Sequence, residues 1–291
     1  MNSNFLTIAN IILLQYVPTV FTAIGVVGNS LVFYILTREK FLKESIFRYF
    51  LCSEAVASLS IITAWMYAIP VYLKWNISTF YCKIIIYILY ILNNFYPWVN
   101  AINSIDRLLS IKYPGKDKIF KKFKFQALFL TSTFSMLAII NLPHYIYGGM
   151  SNATSCGITS NSVRLHAYSL NLLVSVVLPF SIMFISTFLV LNLLIAQKNK
   201  VSIKSYRREK NFLKSILTMD LWFLGCYSPF CVITLLRETI NFSSSYSFKM
   251  AFDLFASISF IGITCNFFIL CLCNKLFKNY FLSMIRCRSI F

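Results

Sequence analysis

The sequence predicts an all-α membrane protein, a bundle of seven transmembrane helices followed by a short amphipathic eighth helix. Three observations predict this fold: a high apolar content, seven apolar segments long enough to cross a bilayer, and basic residues concentrated in short loops. Of the 291 residues, 58% are hydrophobic and 12% are charged, and the mean hydropathy is +0.71. A soluble domain has about twice that share of charged residues.

Each of the seven segments exceeds the length of about 20 residues that a helix needs to cross the hydrocarbon core. They cover residues 11–36, 47–73, 80–111, 123–147, 165–196, 208–238 and 247–273. An amphipathic segment at 274–287 follows the last of them. We expect residues 1–10 to be extracellular, without a cleavable signal peptide, and residues 274–291 to form the eighth helix and a short cytoplasmic tail. Residues 1–291 are thus predicted to form one domain.

The basic residues predict the orientation of the chain. The formal net charge is +18, which is also typical of nucleic-acid-binding proteins. All but five of the Lys and Arg residues, however, lie in or beside the loops that join spans one and two, three and four, and five and six, or after span seven. Cytoplasmic loops carry such an excess, so we expect an extracellular N-terminus and no nucleic-acid partner. Three glycosylation sequons fall in the predicted outer loops, at Asn76, Asn152 and Asn241.

The third predicted span has a distinct pattern at each end. Cys82 lies at its outer end, and the pair Asp106-Arg107 lies at its inner end. As a helix, the interval from Cys82 to Arg107 is about 38 Å long, close to the thickness of a bilayer core with part of its headgroups. The run Asp106-Arg107-Leu108 resembles the D/E-R-Y motif of the third helix in rhodopsin-like (class A) G-protein-coupled receptors, with the tyrosine replaced.

Of the nine cysteines, Cys82 and Cys156 are the two in predicted outer positions away from the apolar spans. A disulfide between them would tie the second outer loop to the third span, and the alternative is two free thiols. The family resemblance implies the same bond. A further cysteine, Cys287, lies between Arg286 and Arg288 beyond the amphipathic segment, which makes it a candidate for palmitoylation.

Polar residues in the first two spans also resemble the family pattern. Residues 28–32 read GNSLV, an intact copy of the first-helix motif G-N-x-x-V that contains Asn29. In the second span, Ser58 replaces the buried aspartate of the family's sodium site, and Glu54 replaces a leucine one turn earlier. An ionisable residue inside a span is a functional candidate. Glu54 either takes over part of the missing acid's role or stays protonated and bonds to Asn29 or Asn103.

Arg107 is expected to need an acidic partner, because an unpaired buried guanidinium is costly. Asp106 is one candidate. Glu209 is the other, since it precedes Pro229 by 20 residues, about 30 Å of helix, and so reaches the same inner level. In the family, an acid at this place locks the arginine in the inactive state, and opening the lock exposes the G-protein cavity. The alternative is an arginine that only extends to the membrane interface.

The sixth span contains the clearest candidates for an activation switch. Residues 226–229 read CYSP and resemble the family's C-W-x-P, so that Tyr227 replaces the tryptophan. Pro229 predicts a kink, because it removes a backbone hydrogen bond. Phe223 matches the aromatic residue that the family carries one turn below.

Three more positions belong to the same framework of switch residues. Pro179 matches the proline of the family's fifth helix. Pro97 lies in the third span, where an aliphatic residue is usual. Asn266 survives from the seventh-helix motif N-P-x-x-Y, whereas the proline and the tyrosine of that motif are absent. The resemblance therefore implies an altered connection between the ligand pocket and the inner end.

Two replaced positions limit the class of ligand. Leu89 occupies the position where amine receptors carry an aspartate, and Phe260 occupies the position of the retinal lysine of opsins, so neither of these classes is expected. The outer half of the bundle is rich in Tyr, Phe and Asn, which suits a neuropeptide or a small chemosensory molecule. The same residues are also typical of packing and of the interfacial aromatic belt. The predicted pocket residues are Leu89, Tyr90, Asn93, Tyr227 and Phe260.

The resemblance implies a plasma-membrane receptor that binds an extracellular ligand and activates a heterotrimeric G protein by outward movement of helix six. The altered sodium site and seventh-helix motif leave a second hypothesis, a receptor-like protein that has lost signalling. A transporter fits less well, because no repeat accompanies the two mid-span acids, Glu54 and Asp220. We expect no enzyme, cofactor or metal, because no catalytic constellation is present.

Overall fold

A computed structural model describes residues 16–43, 45–73, 75, 77–113, 122–152, 155–197, 203–239 and 246–286. Most of these residues are helical. The helices are α1 (Val17–Leu36), α2 (Glu39–Leu42), α3 (Ser45–Tyr72), α4 (Thr79–Lys112), α5 (Phe123–Ile140), α6 (Leu142–Ile146), α7 (Asn161–Leu172), α8 (Leu178–Gln197), α9 (Ile203–Thr239), α10 (Tyr246–Thr264), α11 (Asn266–Cys273) and α12 (Lys275–Ile285). A π-helical turn at Leu173–Val177 joins α7 to α8. An antiparallel hairpin of β1 (Gly148–Asn152) and β2 (Ser155–Ile158) follows α6.

The helices confirm the predicted membrane bundle. Six segments are long and apolar enough to cross a membrane, namely α1, α3, α4, α5, the continuous run from α7 through the π turn into α8, and α9. The seventh span is a pair of helices, α10 and α11, which meet at a bend of 51°. The short C-terminal helix α12 follows, and it buries Phe277 against the inner end of the bundle.

The fourth span ends earlier than the sequence suggested. The predicted segment 123–147 consists of two helices, because α5 ends at Ile140 and α6 begins at Leu142. Pro143 explains the new start, since a proline fits the first turn of a helix but would remove a hydrogen bond from the interior of a longer one. The side chain of Asn141, between the two helices, donates to the Leu137 carbonyl at 2.8 Å.

The fifth span contains a widened turn that the sequence analysis did not predict. The π-helical turn at Leu173–Val177 ends directly before α8, whose second residue is the buried Pro179. A proline has no N–H group for the preceding turn, and a π turn is one of the ways in which a helix accommodates such a break.

Helix α4, the third span, is the central element of the bundle. It packs against α3, α5, α8 and α9 and also contacts the hairpin. Its buried side chains run over nearly its whole length, from Cys82 to Arg107. By contrast, α5 buries only Gln126 and Leu137, so the fourth span lies at the periphery with most of its apolar surface directed outward.

Two apolar clusters hold the spans together. The larger cluster lies in the middle of the bundle around Tyr96 and Phe223, and its buried members come from α3, α4, α5, the π turn, α9 and α10. The second lies at the end of the bundle that carries α12, where α1, α2 and α3 meet α11. Aromatic rings contribute to this second cluster beside its aliphatic side chains, as in the edge-to-face pair of Phe267 and Phe281 at 5.0 Å.

Candidate functional site

A disulfide marks the end of the bundle that we call the outer end. Cys82 in α4 is bonded to Cys156 in β2, with 5.3 Å between their Cα atoms, which confirms the predicted bond. The hairpin is thereby fixed over the bundle. The hydroxyl of Tyr67 adds a second tie, because it donates to the Cys156 carbonyl at 3.3 Å. The sequence predicted the bond but not the hairpin.

A cavity of about 370 Å³ lies below this hairpin, among the third, fifth, sixth and seventh spans. Ligand pockets commonly have volumes of about 300–1,000 Å³. Four of the predicted pocket residues, Leu89, Tyr90, Asn93 and Tyr227, line the cavity. Most of the remaining lining is aromatic or aliphatic. The polar side chains that line it, besides tyrosines, are Asn93, His144, Asn171, Thr234 and Arg237.

A smaller cavity of about 160 Å³ continues toward the middle of the bundle. It shares Leu89, Asn93 and Tyr227 with the first cavity and extends down to Tyr96. Phe260, the fifth predicted pocket residue, lines this inner part. The tertiary structure therefore brings all five predicted residues to two adjacent cavities that share lining residues.

His144 is a lining residue that the sequence analysis did not select. Its ring stacks on that of Tyr90, with 3.7 Å between the centroids and 16° between the planes. The side chain is buried, and its Nδ1 atom has no hydrogen-bond partner among the described residues. Its position follows from α6, whose separate start at Leu142 turns His144 toward the third span. No local signal in the sequence predicts that turn apart from Pro143.

At the inner end, Arg107 and Asp106 form a buried ion pair. One guanidinium nitrogen, Nη2, lies 3.0 Å from Asp106 Oδ2, and each residue is 5% exposed. Ser45, the first residue of α3, completes the arrangement. Its hydroxyl donates to Asp106 Oδ2 at 2.9 Å and accepts from Arg107 Nη2. Helices α3 and α4 are thus joined by a three-residue polar cluster.

Glu209, the other predicted partner of Arg107, lies within helix α9. Its side chain is outside the part of the chain that the structure describes, so the contact between Glu209 and Arg107 stays a prediction. Helix α9 runs without interruption from Ile203 to Thr239, through Pro229. One helix therefore contains both the Glu209 position and the wall of the outer cavity.

Comparison with known proteins identifies the family. A family model described as "7 transmembrane receptor (rhodopsin family)" matches residues 28–274, which is most of the chain. The chain belongs to the rhodopsin family of seven-transmembrane receptors. This confirms the resemblance that the motifs suggested. The protein is accordingly a multi-pass membrane receptor and not an enzyme.

Curated relatives of this receptor include peptide receptors. The chain is 24% identical over 306 aligned residues to the pyroglutamylated RF-amide peptide receptor of Rattus norvegicus, and the alignment covers 90% of this chain and 67% of the relative. The receptor of the same name from Mus musculus matches with the same identity and coverage.

In the middle of the receptor, a hydrogen bond links the third and seventh spans. Tyr96 donates its hydroxyl proton to Asn266 Oδ1 at 3.0 Å, and both side chains are 1% exposed. Asn266 was predicted as a switch residue, but Tyr96 was not. A tyrosine in mid-span needs a partner for its hydroxyl when buried, and this need is the signal that could have identified it.

The remaining polar switch residues lie close to this bond. The Glu54 carboxyl faces the Asn266 side chain, but neither of its oxygens has a hydrogen bond of normal geometry within the described residues. The structure contains neither predicted bond, from Glu54 to Asn29 or to Asn103. Ser58 donates instead to the Glu54 carbonyl of its own helix at 2.8 Å.

An aromatic stack connects the cavity with this polar core. The ring centroids of Tyr227 and Phe223 are 5.0 Å apart, and those of Phe223 and Tyr96 are 4.8 Å apart. Tyr227 lines the cavity, whereas Tyr96 bonds to Asn266. The predicted switch residues Tyr227 and Phe223 therefore form a continuous contact from the cavity to the seventh span.

The remaining predicted sites are described to different extents. Pro97 is buried within α4, which runs through it without interruption. Asn152 is the last residue of β1, but its side chain is not described. Asn76, Asn241 and Cys287 fall outside the described residues, so glycosylation and palmitoylation stay predictions.

Proposed function

We propose that this receptor binds an extracellular peptide or small chemosensory molecule in the outer cavity and activates heterotrimeric G proteins. The observation that carries the proposal is the course of α9. This single helix lines the cavity with Tyr227 and Thr234 and extends back without interruption to Ile203, about 36 Å of helix before Tyr227, a length expected to reach the inner level of the Asp106–Arg107 pair. A ligand that displaces α9 at the cavity would also move its inner end.

The lining of the cavity and the relatives both support a peptide as the ligand. The name of the two relatives describes receptors for a pyroglutamylated RF-amide peptide. In the present chain, a largely aromatic cavity with a few polar groups would take the terminal residues of a peptide or a molecule of similar size.

The proposed activation step is an outward movement of α9. In the inactive state, Glu209 and Asp106 both hold Arg107, and the aromatic stack of Tyr227, Phe223 and Tyr96 holds the middle of α9. Ligand binding would shift the stack and separate Glu209 from Arg107. The basic inner face would then contact the G protein. Such a bistable helix with a defined change in ion pairing is a known type of switch.

The charge distribution supports a plasma-membrane receptor with its N-terminus outside the cell. The Lys and Arg excess follows the loops on the side of Arg107. The disulfide lies on the opposite side. Because disulfides form and persist in oxidising environments, this side is proposed to be extracellular. In this orientation the sequons fall outside the cell, and we propose glycosylation at Asn76, Asn152 and Asn241. Cys287 falls on the cytoplasmic side, where we propose palmitoylation.

G-protein activation in cells tests the proposal, with the wild-type receptor, Arg107→Ala and Glu209→Ala compared at matched surface expression. We expect Glu209→Ala to raise basal signalling and Arg107→Ala to abolish it. If neither the wild type nor Glu209→Ala activates any G-protein class, the proposal fails. A receptor-like protein without signalling would then be the better description.

A further inference from the structure

The cavity has an uneven distribution of charge. Among the described lining residues, Arg237 is the one side chain with a permanent charge. It lies in the last turn of α9, at the mouth of the cavity, and it is exposed. The inner part of the cavity is lined by Leu89, Tyr227 and Phe260. The cavity is therefore cationic at its mouth and largely apolar at its bottom.

The guanidinium of Arg237 is oriented by a ring contact and has no ion-pair partner among the described side chains. Its Cζ atom lies 5.1 Å from the centroid of the Phe252 ring on α10, and such a cation–π contact holds an arginine in place. The ion pairs found among the described side chains are Lys43–Glu39 and Arg107–Asp106, so Arg237 takes part in neither. Asp253, next to Phe252, is buried and is not among the residues that line the cavity.

A guanidinium in this state is suited to a carboxylate. Its N–H groups form a planar fork that binds both oxygens of a carboxylate. One face of the guanidinium lies over the Phe252 ring, but contact with a ring face leaves the N–H groups at the edge available. A ligand that covers Arg237 would displace water from it, and charges interact more strongly where water is displaced.

Helix α9 also sets the length of the ligand. Tyr227, Thr234 and Arg237 all line the cavity, on one stripe of the helix. Tyr227 and Arg237 are separated by ten residues of sequence, about 15 Å along a helix. An extended peptide covers that distance with about four residues.

From these features we infer that the cavity binds a ligand with a carboxylate at Arg237 and an apolar or aromatic group about four extended residues away, against Tyr227 and Phe260. The assignment rests on the proposed function, because it names the chemistry of that receptor's ligand. Two sources carry this chemistry: a peptide end with an acidic residue near an aromatic one, and an amphipathic carboxylic acid.

The test uses pairs of probes that differ only in charge. The peptide probes are blocked tetrapeptides with Glu at one end and Phe at the other, in both chain directions, each with a twin that carries Gln in place of Glu. The small-molecule probes are dodecanoate and dodecanamide. Binding is measured as the rise in melting temperature of the purified receptor in lipid nanodiscs, titrated with each probe. A ligand that binds the folded state raises its stability by mass action, so this measurement does not require signalling.

We expect at least one acidic probe to bind about tenfold to a hundredfold more tightly than its neutral twin, the usual effect of a hydrogen-bonded charge. The preference should disappear in Arg237→Gln, and it should persist in Arg164→Gln, which removes an arginine that does not line the cavity. The pair that shows the preference identifies the source, peptide or amphipathic acid.

Three results would overturn the assignment: equal binding of the acidic and neutral twins, a preference that survives Arg237→Gln, or no binding of any probe to the wild type. Failure of the proposed function is a separate outcome. If the carboxylate assignment fails while Glu209→Ala still raises basal signalling, the receptor function stands and only the ligand class is wrong.

Discussion

At the scale of single residues, Ser45 has a role that its small size does not suggest. Its hydroxyl bonds to both members of the Asp106–Arg107 pair, and it is 1% exposed. Arginine and carboxylate groups in such a place need all of their hydrogen-bonding capacity met, because an unsatisfied buried charge is costly. Ser45 supplies one donor and one acceptor at once.

Ser45→Ala should therefore weaken the arrangement that holds Arg107. A hydrogen bond to a charged group contributes about 1.5–3 kcal/mol, and the variant removes two such bonds. We expect lower thermal stability together with higher basal G-protein activation at matched surface expression. Ser169→Ala is the control, because the Ser169 hydroxyl donates only to the Leu165 carbonyl of its own helix. Unchanged basal activity in Ser45→Ala would contradict a locking role for the cluster.

Tyr96 is a second single residue with a defined bond. Tyr96→Phe keeps the ring but removes the hydroxyl that donates to Asn266 Oδ1. Because the asparagine oxygen would remain buried without this donor, we expect a loss of about 1–3 kcal/mol in the free energy of unfolding.

Thermal denaturation of the purified receptor measures this loss. Tyr145→Phe serves as the control, since Tyr145 is exposed, and its described contact is with the Tyr87 ring. A melting temperature of Tyr96→Phe equal to that of Tyr145→Phe would mean that the bond between the third and seventh spans contributes no stability.

At the scale of helices, the seventh span bends without the proline that its motif would normally supply. The break lies at Cys265, whose carbonyl accepts from the backbone N–H groups of both Phe268 and Ile269. Helix α11 thus restarts in a new direction at Asn266, the partner of Tyr96. The bond from the third span and the restart coincide at one residue, which accounts for the surviving asparagine.

Close packing of the sixth and seventh spans depends on Gly262. A Cβ atom at Gly262 would lie 2.8 Å from Cys226 Cβ in α9, whereas small residues let membrane helices approach closely. We expect Gly262→Ala to cost about 1–3 kcal/mol through overpacking, measured as a lower melting temperature.

The control for this change is Gly225→Ala, one residue before Cys226 in α9 but exposed, with open space around the added Cβ atom. An alanine in a helix interior is more favourable than glycine by about 0.5–1 kcal/mol, so this variant should match or exceed the stability of the wild type. Equal melting temperatures of the two alanine variants would mean that the close approach of α9 and α10 does not depend on a glycine at position 262.

At the scale of the whole molecule, the charge distribution and the disulfide lie at opposite ends of the bundle. The basic loops lie on the side of Arg107, and the disulfide and the larger cavity lie on the other. One orientation in the membrane satisfies both the excess of cytoplasmic cations and an oxidising environment for the disulfide.

Epitope tags at the two ends of the chain test this orientation. An antibody should label an N-terminal tag on intact cells, whereas a C-terminal tag should be labelled only after permeabilisation. Glycosidase treatment should lower the apparent mass of the tagged receptor. The same treatment should not change the mass of the variant in which Asn76, Asn152 and Asn241 are all replaced by Gln. Labelling of the C-terminal tag on intact cells would reverse the proposed topology.

The sequence by itself determined the family, the number of spans and the disulfide. The length of an apolar segment and the charge of a loop are local properties that decide whether and in which direction a segment crosses a membrane. Seven spans and a basic side could therefore be predicted without knowing which helices contact each other. The family motifs around Asn29, Arg107 and Pro229 then identified the receptor class.

Only the tertiary structure decided how the site is assembled. Ser45 meets Asp106 across 61 positions of sequence, and Tyr96 meets Asn266 across 170. The stacking of His144 on Tyr90 depends on the early end of the fourth span. Such pairs form when separate helices pack, and packing depends on the shapes of several helices together. No periodicity within one span contains that information, so the sequence predicted five lining residues of the cavities but not the contacts made by His144 and Tyr96.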